Sequence, residues 1–139
     1  MAILVTGGTG YIGSHTCVEL IKAGYEPVIV DDLSNSKADV VDKIETITGK
    51  RPKFYQAGVQ DADAMRKVFT ENKIDAVIHF AAFKAVGESV KFPLKYYRNN
   101  ISGTVSLCEI MNEFGCKRIV FSSSATVYGA PKSVPIRED

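Results

Sequence analysis

Ile3-Leu4-Val5-Thr6-Gly7-Gly8-Thr9-Gly10-Tyr11-Ile12-Gly13 is an apolar strand that enters a glycine turn, and the turn opens a helix. Gly8, Gly10 and Gly13 fit G-x-G-x-x-G, while Gly7, Gly10 and Gly13 fit the wider G-x-x-G-x-x-G. A second apolar run, Pro27-Val28-Ile29-Val30, ends in the acidic pair Asp31-Asp32. Strand, glycines, helix and a following acid are the context that makes such a turn a dinucleotide phosphate-binding site. The alternative is a glycine-rich turn without a ligand. The four features occurring together weigh against it.

Each part of the pattern has a chemical reason. Glycines lack a Cβ, so backbone N–H groups can approach a pyrophosphate closely, and the helix points its partially positive end at the same place. Asp31, at the carboxyl end of the second strand, can accept hydrogen bonds from the hydroxyls of an adenosine ribose and would repel a 2′-phosphate. No arginine closely follows Asp31 or Asp32. NAD is therefore expected in preference to NADP.

With 139 residues the chain has the length of one domain, expected over residues 1–139. A formal charge of +1, with no lysine or arginine cluster, argues against a nucleic-acid surface. Cys17, Cys108 and Cys116 are an odd number without metal-ligand spacing, each in an apolar context. They are expected to be reduced core thiols of a cytoplasmic protein, with no metal site. The N-terminus offers no basic region, cleavage site or long apolar run, so neither secretion nor membrane insertion is expected.

Five short apolar runs, residues 3–6, 27–31, 53–56, 75–80 and 118–122, read as buried parallel strands. Helices are expected over 11–23, 38–48, 63–72 and 93–114, the first, second and fourth each followed by glycine. On the fourth, Tyr97, Ile101, Thr104, Val105, Cys108 and Met111 share one face while Leu107, Ile110 and Phe114 occupy another. Both faces are expected to be buried. This alternation predicts an α/β class: a doubly wound parallel Rossmann sheet of five strands in the order 3-2-1-4-5. Ligands of such sheets bind outside the carboxyl ends where the order reverses.

Four segments carry a specific resemblance: residues 6–15 (TGGTGYIGSH), 31–36 (DDLSNS), 79–89 (HFAAFKAVGES) and 121–129 (FSSSATVYG). Over its whole length the chain resembles the UDP-glucose 4-epimerases (UDP-galactose 4-epimerases) of the extended short-chain dehydrogenase/reductase superfamily. Residues 84–89 favour them over the sugar-nucleotide dehydratases. The resemblance implies that NAD lies along Gly7, Gly10, Tyr11, Ile12 and Gly13 at the pyrophosphate. Asp31, Asp32, Leu33, Ser34, Asn35 and Ser36 would surround the adenosine ribose, and Gly58 and Val59 would lie at the adenine. Phe80, Ala81, Ala82, Lys84, Asn99 and Ser122 would complete the cofactor site. It also implies that Lys84 and Ser124 meet the UDP-glucose or UDP-galactose substrate, with Ser124 relaying a proton. Tyr128 matches a structural position, because the family's catalytic tyrosine lies further on in a Tyr-x-x-x-Lys motif. His15 and His79 have neither metal-ligand spacing nor a nucleophile partner, and read as packing residues.

At one position the chain departs from the pattern. Family members carry an aspartate where this sequence has Gly58. That carboxylate accepts a hydrogen bond from the adenine amino group, and its loss would cost about 1.5 to 3 kcal/mol. Members also continue beyond the equivalent of Asp139 with the Tyr-x-x-x-Lys helix, a sixth strand and the UDP-holding domain. The resemblance thus makes this chain the N-terminal part of an epimerase, inactive alone. A homodimer, or association with a C-terminal piece, is expected to cover exposed apolar surface on the fourth helix and fifth strand. A related dehydratase or decarboxylase, or a non-catalytic nucleotide-binding module, remains as the alternative.

Overall fold

The computed structural model describes residues 1–130 and 133–136. Five strands, β1 (Ala2–Thr6), β2 (Glu26–Asp31), β3 (Lys53–Gln56), β4 (Ile74–His79) and β5 (Ile119–Phe121), alternate with helices. These are α1 (Tyr11–Lys22), α2 (Val40–Thr48), α3 (Ala62–Glu71), α4 (Val86–Lys91), α5 (Pro93–Tyr96) and α6 (Gly103–Glu113). The sheet order is β3-β2-β1-β4-β5 and every pairing is parallel. Leu4 sits opposite Val28 on one side and Val77 on the other. The expected fold is the observed one.

Strand alternation explains the two layers, because successive side chains of β1 point to opposite faces. Leu4, with Val28, Val30 and Val77, packs under Met65, Val68 and Phe69 of α3 and Leu107, Ile110 and Met111 of α6. Ile3 and Val5, with Ile29, pack under Cys17 and Ile21 of α1 and Ile44 of α2. Burial of this kind contributes roughly 1.5 to 3 kcal/mol per large side chain. α1 ends where Gly24 takes a φ of +84°, and α3 begins at Asp61, whose carboxylate caps the Ala64 N–H at 3.1 Å.

The long fourth helix needs correction. Residues 93–113 do run on helically, but Tyr97–Ser102 between α5 and α6 is a π-helical segment. The wider turn shifts the phase of everything after Tyr96. Gly103, Leu107, Ile110 and Met111 are buried, whereas Tyr97, Ile101, Val105 and Cys108 are exposed. The second apolar face is uncovered, the exposed apolar surface expected on this helix, and Cys108 is not a core thiol. Cys17 is one, and burial pushes its pKa up to about 12. The short helix α4 was not expected at all. β5 presents Ile119, Val120 and Phe121 to solvent on the sheet edge.

Candidate functional site

The carboxyl ends of β1 and β4 diverge at the reversal of strand order, and an open crevice of about 500 Å³ lies there. Its floor is the glycine turn. Gly7 has a φ of +69°, and a Cβ on it would stand 2.9 Å from the Ala81 nitrogen. At Gly13, a Cβ would come within 2.2 Å of the Gly7 carbonyl oxygen. Only glycine lets α1 start directly against the turn and the 80–82 backbone pass over it. The Gly7 and Gly10 N–H groups are already bonded, to the Val30 and Gly7 carbonyls; the open N–H groups of the first turn of α1, which follows Gly10, form a concave, partially positive surface.

Asp31 ties this turn to the second wall. It is only 8% exposed. One carboxylate oxygen accepts from the Leu33 N–H at 3.0 Å and the Ser36 hydroxyl at 2.9 Å, and the other accepts from the Thr9 N–H at 3.1 Å. The hydroxyls of Thr9 and Ser36 are themselves 2.7 Å apart. A carboxylate offers about four acceptor positions, so one remains, on the oxygen facing Thr9. The acid can thus take one further donor as well as holding residues 32–36 in place.

A second network sets the opposite wall. The His79 ring, 3% exposed in the core, lies 2.6 Å from the Thr6 hydroxyl through Nδ1 and 3.0 Å from that of Thr104 through Nε2. The Thr104 hydroxyl donates to the Asn100 carbonyl at 2.7 Å, so it accepts from Nε2–H, which leaves Nδ1 to accept from Thr6. Burial lowers the His79 pKa and keeps this neutral tautomer. Asn100 in turn clamps the backbone of Phe83 from both sides, accepting from its N–H and donating to its carbonyl, each at 2.9 Å. The π-helical turn brings Asn99 and Asn100 together at the crevice, and Asn99 donates to Asn100 at 2.9 Å. A packing role for His79 was expected; its hydrogen bonds also reach the cleft wall.

Gly7, Gly10, Asp31 and Asp32 line the crevice, as do Ser34, Asn35 and Ser36. So do Gly58 and Val59 after β3, and Phe80, Ala81, Ala82, Lys84 and Asn99 on the far side. Val59 is buried as well, with its Cγ2 only 2.9 Å from where a Cβ on Gly103 would stand. Tyr11 and Ile12 stand exposed at the start of α1, outside the lining, and Gly13 lies beneath the turn. Leu33 is at the rim with its backbone in the left-handed region, φ +60°. Ser122 follows β5 and its N–H donates to the His79 carbonyl; the carbonyl of Ser124 accepts from Val127. Neither serine lines the crevice. Tyr128 is exposed, on the 3-10 turn Ala125–Tyr128, which Gly129 follows with φ +73°.

Sequence reasoning missed several lining residues. Gln60, Phe83, Glu88, Lys95 and Tyr96 all face the crevice. Lys95 pairs with the Glu88 carboxylate at 2.7 Å and Tyr96 donates to it at 2.8 Å, and these contacts hold the Glu88 carboxyl below its usual range. The Lys95 ammonium also stands 4.8 Å over the Phe83 ring. Their spacing across α4 and α5 is visible only once the unexpected helix is in place. No group of histidine, cysteine and carboxylate side chains suited to a metal ion occurs among the described residues. No helix among them is long and apolar enough to cross a membrane.

The family described as the NAD dependent epimerase/dehydratase family matches residues 3–139. This chain belongs to that family. Among curated members, the UDP-glucose 4-epimerase of Bacillus subtilis is 63% identical over 139 residues, 100% of this chain and 41% of that protein. The one from Dictyostelium discoideum is 56% identical over 99% of this chain and 40% of its own length. Among solved members, UDP-glucose-4-epimerase from Stenotrophomonas maltophila with bound NAD and formylated UDP-arabinopyranose superposes with a TM-score of 0.94 at 54% identity, covering 99% of this chain and 41% of that one. The Bifidobacterium longum enzyme in complex with NAD+ and UDP gives 0.95 at 50% identity, covering 100% and 42%. The chain spans about two fifths of the length of these epimerase/dehydratase relatives.

Proposed function

We propose that this chain is the NAD-binding part of a UDP-glucose 4-epimerase, which interconverts UDP-glucose and UDP-galactose. The observation that carries the reading is Asp31, which lines the crevice, held between the glycine turn and residues 32–36 with one acceptor position still open. The cradle fits a dinucleotide: with no Cβ at Gly7 or Gly13, the 80–82 backbone and the start of α1 close directly on the turn, which sets the first amides of α1 at the crevice floor. Gly7, Gly10 and the start of α1 hold the pyrophosphate; Asp31 and Ser36 hold the adenosine ribose; Lys84 and Asn99 hold the nicotinamide half. Bound NAD supplies a reversible hydride acceptor for C4 of the sugar. The chain's own share of the chemistry is orientation, with Lys84 giving a positive charge at the rim and the Ser124 hydroxyl contacting the sugar 4-hydroxyl and relaying its proton.

The 139-residue chain by itself binds NAD and does not epimerise. A cytoplasmic setting is consistent with three unpaired cysteines. A homodimer through Tyr97, Ile101 and Val105 is supported by their exposure on one stripe. Titration calorimetry with NAD+ and NADP+ tests the core of the reading. NAD+ binding at least about 30-fold tighter is expected, since a 2′-phosphate would meet a carboxylate. Equal affinity for the two, or binding of neither, overturns it.

A further inference from the structure

Beyond Asp31 the crevice continues to the end of β3, and its wall there has an unusual composition. On the dinucleotide reading above, the ribose at Asp31 has the pyrophosphate on its glycine-turn side. The base must then lie on the other side, against residues 57–60, which line the crevice. Gly58 presents backbone alone.

Gln60 occupies the space that a side chain at position 58 would use. The Asp61 N–H donates to the Gly58 carbonyl at 3.0 Å, closing a turn that folds residue 60 back over residue 58. A Cβ built on Gly58 would stand 2.7 Å from Nε2 of Gln60 and 2.9 Å from both Cδ and Oε1. The carboxamide also borders a smaller cavity beside Phe83, Arg98 and Asn99, so it forms the partition between two spaces. It has no hydrogen-bond partner among the described residues. Here an amide able both to donate and to accept stands free at the position of the base.

We propose that Gln60 reads the base of the bound dinucleotide, its carboxamide replacing the side chain absent at Gly58. Oε1 accepts from the exocyclic amino group of adenine while Nε2 donates to an adjacent ring nitrogen, a pairing that glutamine makes bidentately. This chemistry differs from that of a carboxylate, which only accepts. A carboxamide turned end for end also suits hypoxanthine, giving its N–H to O6 and accepting from N1–H. The site is therefore tolerant of either purine.

Calorimetry of the full chain with ADP-ribose and with its hypoxanthine counterpart, inosine diphosphate ribose, tests this. The parent should bind the two within about threefold, and Gln60→Ala should weaken both about tenfold. Because Gln60 is exposed, the urea midpoint of the variant should not move. The double variant Gly58→Asp with Gln60→Ala should recover ADP-ribose and reject the hypoxanthine ligand by about tenfold or more. Unchanged affinity of Gln60→Ala for ADP-ribose overturns the inference and leaves the dinucleotide reading standing, as does rejection of hypoxanthine by the parent. A parent that binds neither ligand overturns both.

Discussion

Asp31→Asn puts the tie between the two crevice walls under direct test. The carboxylate takes two donors on one oxygen, the Leu33 N–H at 3.0 Å and the Ser36 hydroxyl at 2.9 Å, and the Thr9 N–H at 3.1 Å on the other. An asparagine has a single acceptor oxygen. With that oxygen kept toward Leu33 and Ser36, its amide N–H2 meets the Thr9 N–H donor to donor. One buried donor is then orphaned, at a cost of roughly 1 to 3 kcal/mol, and the two surviving bonds lose their charge assistance. The expected destabilisation is about 2 kcal/mol. For a small domain with an m-value of about 2 kcal/mol/M, that lowers the urea midpoint by about 1 M. Hydrogen exchange should locate the loss, with Thr9 and Leu33 amides exchanging faster relative to Val5 in the core strand. A midpoint within about 0.2 M of the parent, outside which a 2 kcal/mol loss must fall, refutes the reasoning, as does unchanged exchange at Thr9.

Two further outcomes are expected. Burial lowers the His79 pKa from its ordinary 6.5, so as pH falls below 6.5 the unfolded chain takes up a proton that the folded one does not. Stability should be full above that pH and decline toward the lowered value. His79→Gln, which keeps hydrogen-bonding capacity but cannot titrate, should flatten the slope of unfolding free energy between pH 7 and 5; an unchanged slope removes His79 as its source. Asn100→Ala strips both bonds from the Phe83 backbone and should cost about 1 to 2 kcal/mol. The Phe83 amide should then exchange faster while that of Leu4 does not, and equal protection in the two proteins counts against the clamp.

How much of this was legible in the sequence depended on the range of the interactions involved. The strand order followed from residues 3–31 and the repeated alternation, because strand burial and glycine geometry are local and leave a pattern in the letters. The π-helical turn left none. Tyr97, Ile101, Val105 and Cys108 recur at the spacing of a buried helical face, yet they face solvent while Leu107 and Ile110 of the same run are buried. α4 has only six residues, too few to show a period. Asp31 was legible as an acid at a strand end; that it already holds three backbone and hydroxyl donors depends on the loop conformation. Gln60 was invisible for a similar reason, since its relation to Gly58 exists only once the turn to Asp61 closes.

Leu33 adds a consequence for how the crevice opens. Its left-handed backbone, φ +60°, is a conformation that costs an ordinary side chain roughly 1 to 2 kcal/mol. Its N–H is held by Asp31, the same carboxylate that reaches across to Thr9. Releasing that carboxylate would therefore free a loaded spring as well as a bond. The rim should let go as one latch, so that residues 32–36 and the contact to the glycine turn open and close together, with few states half undone.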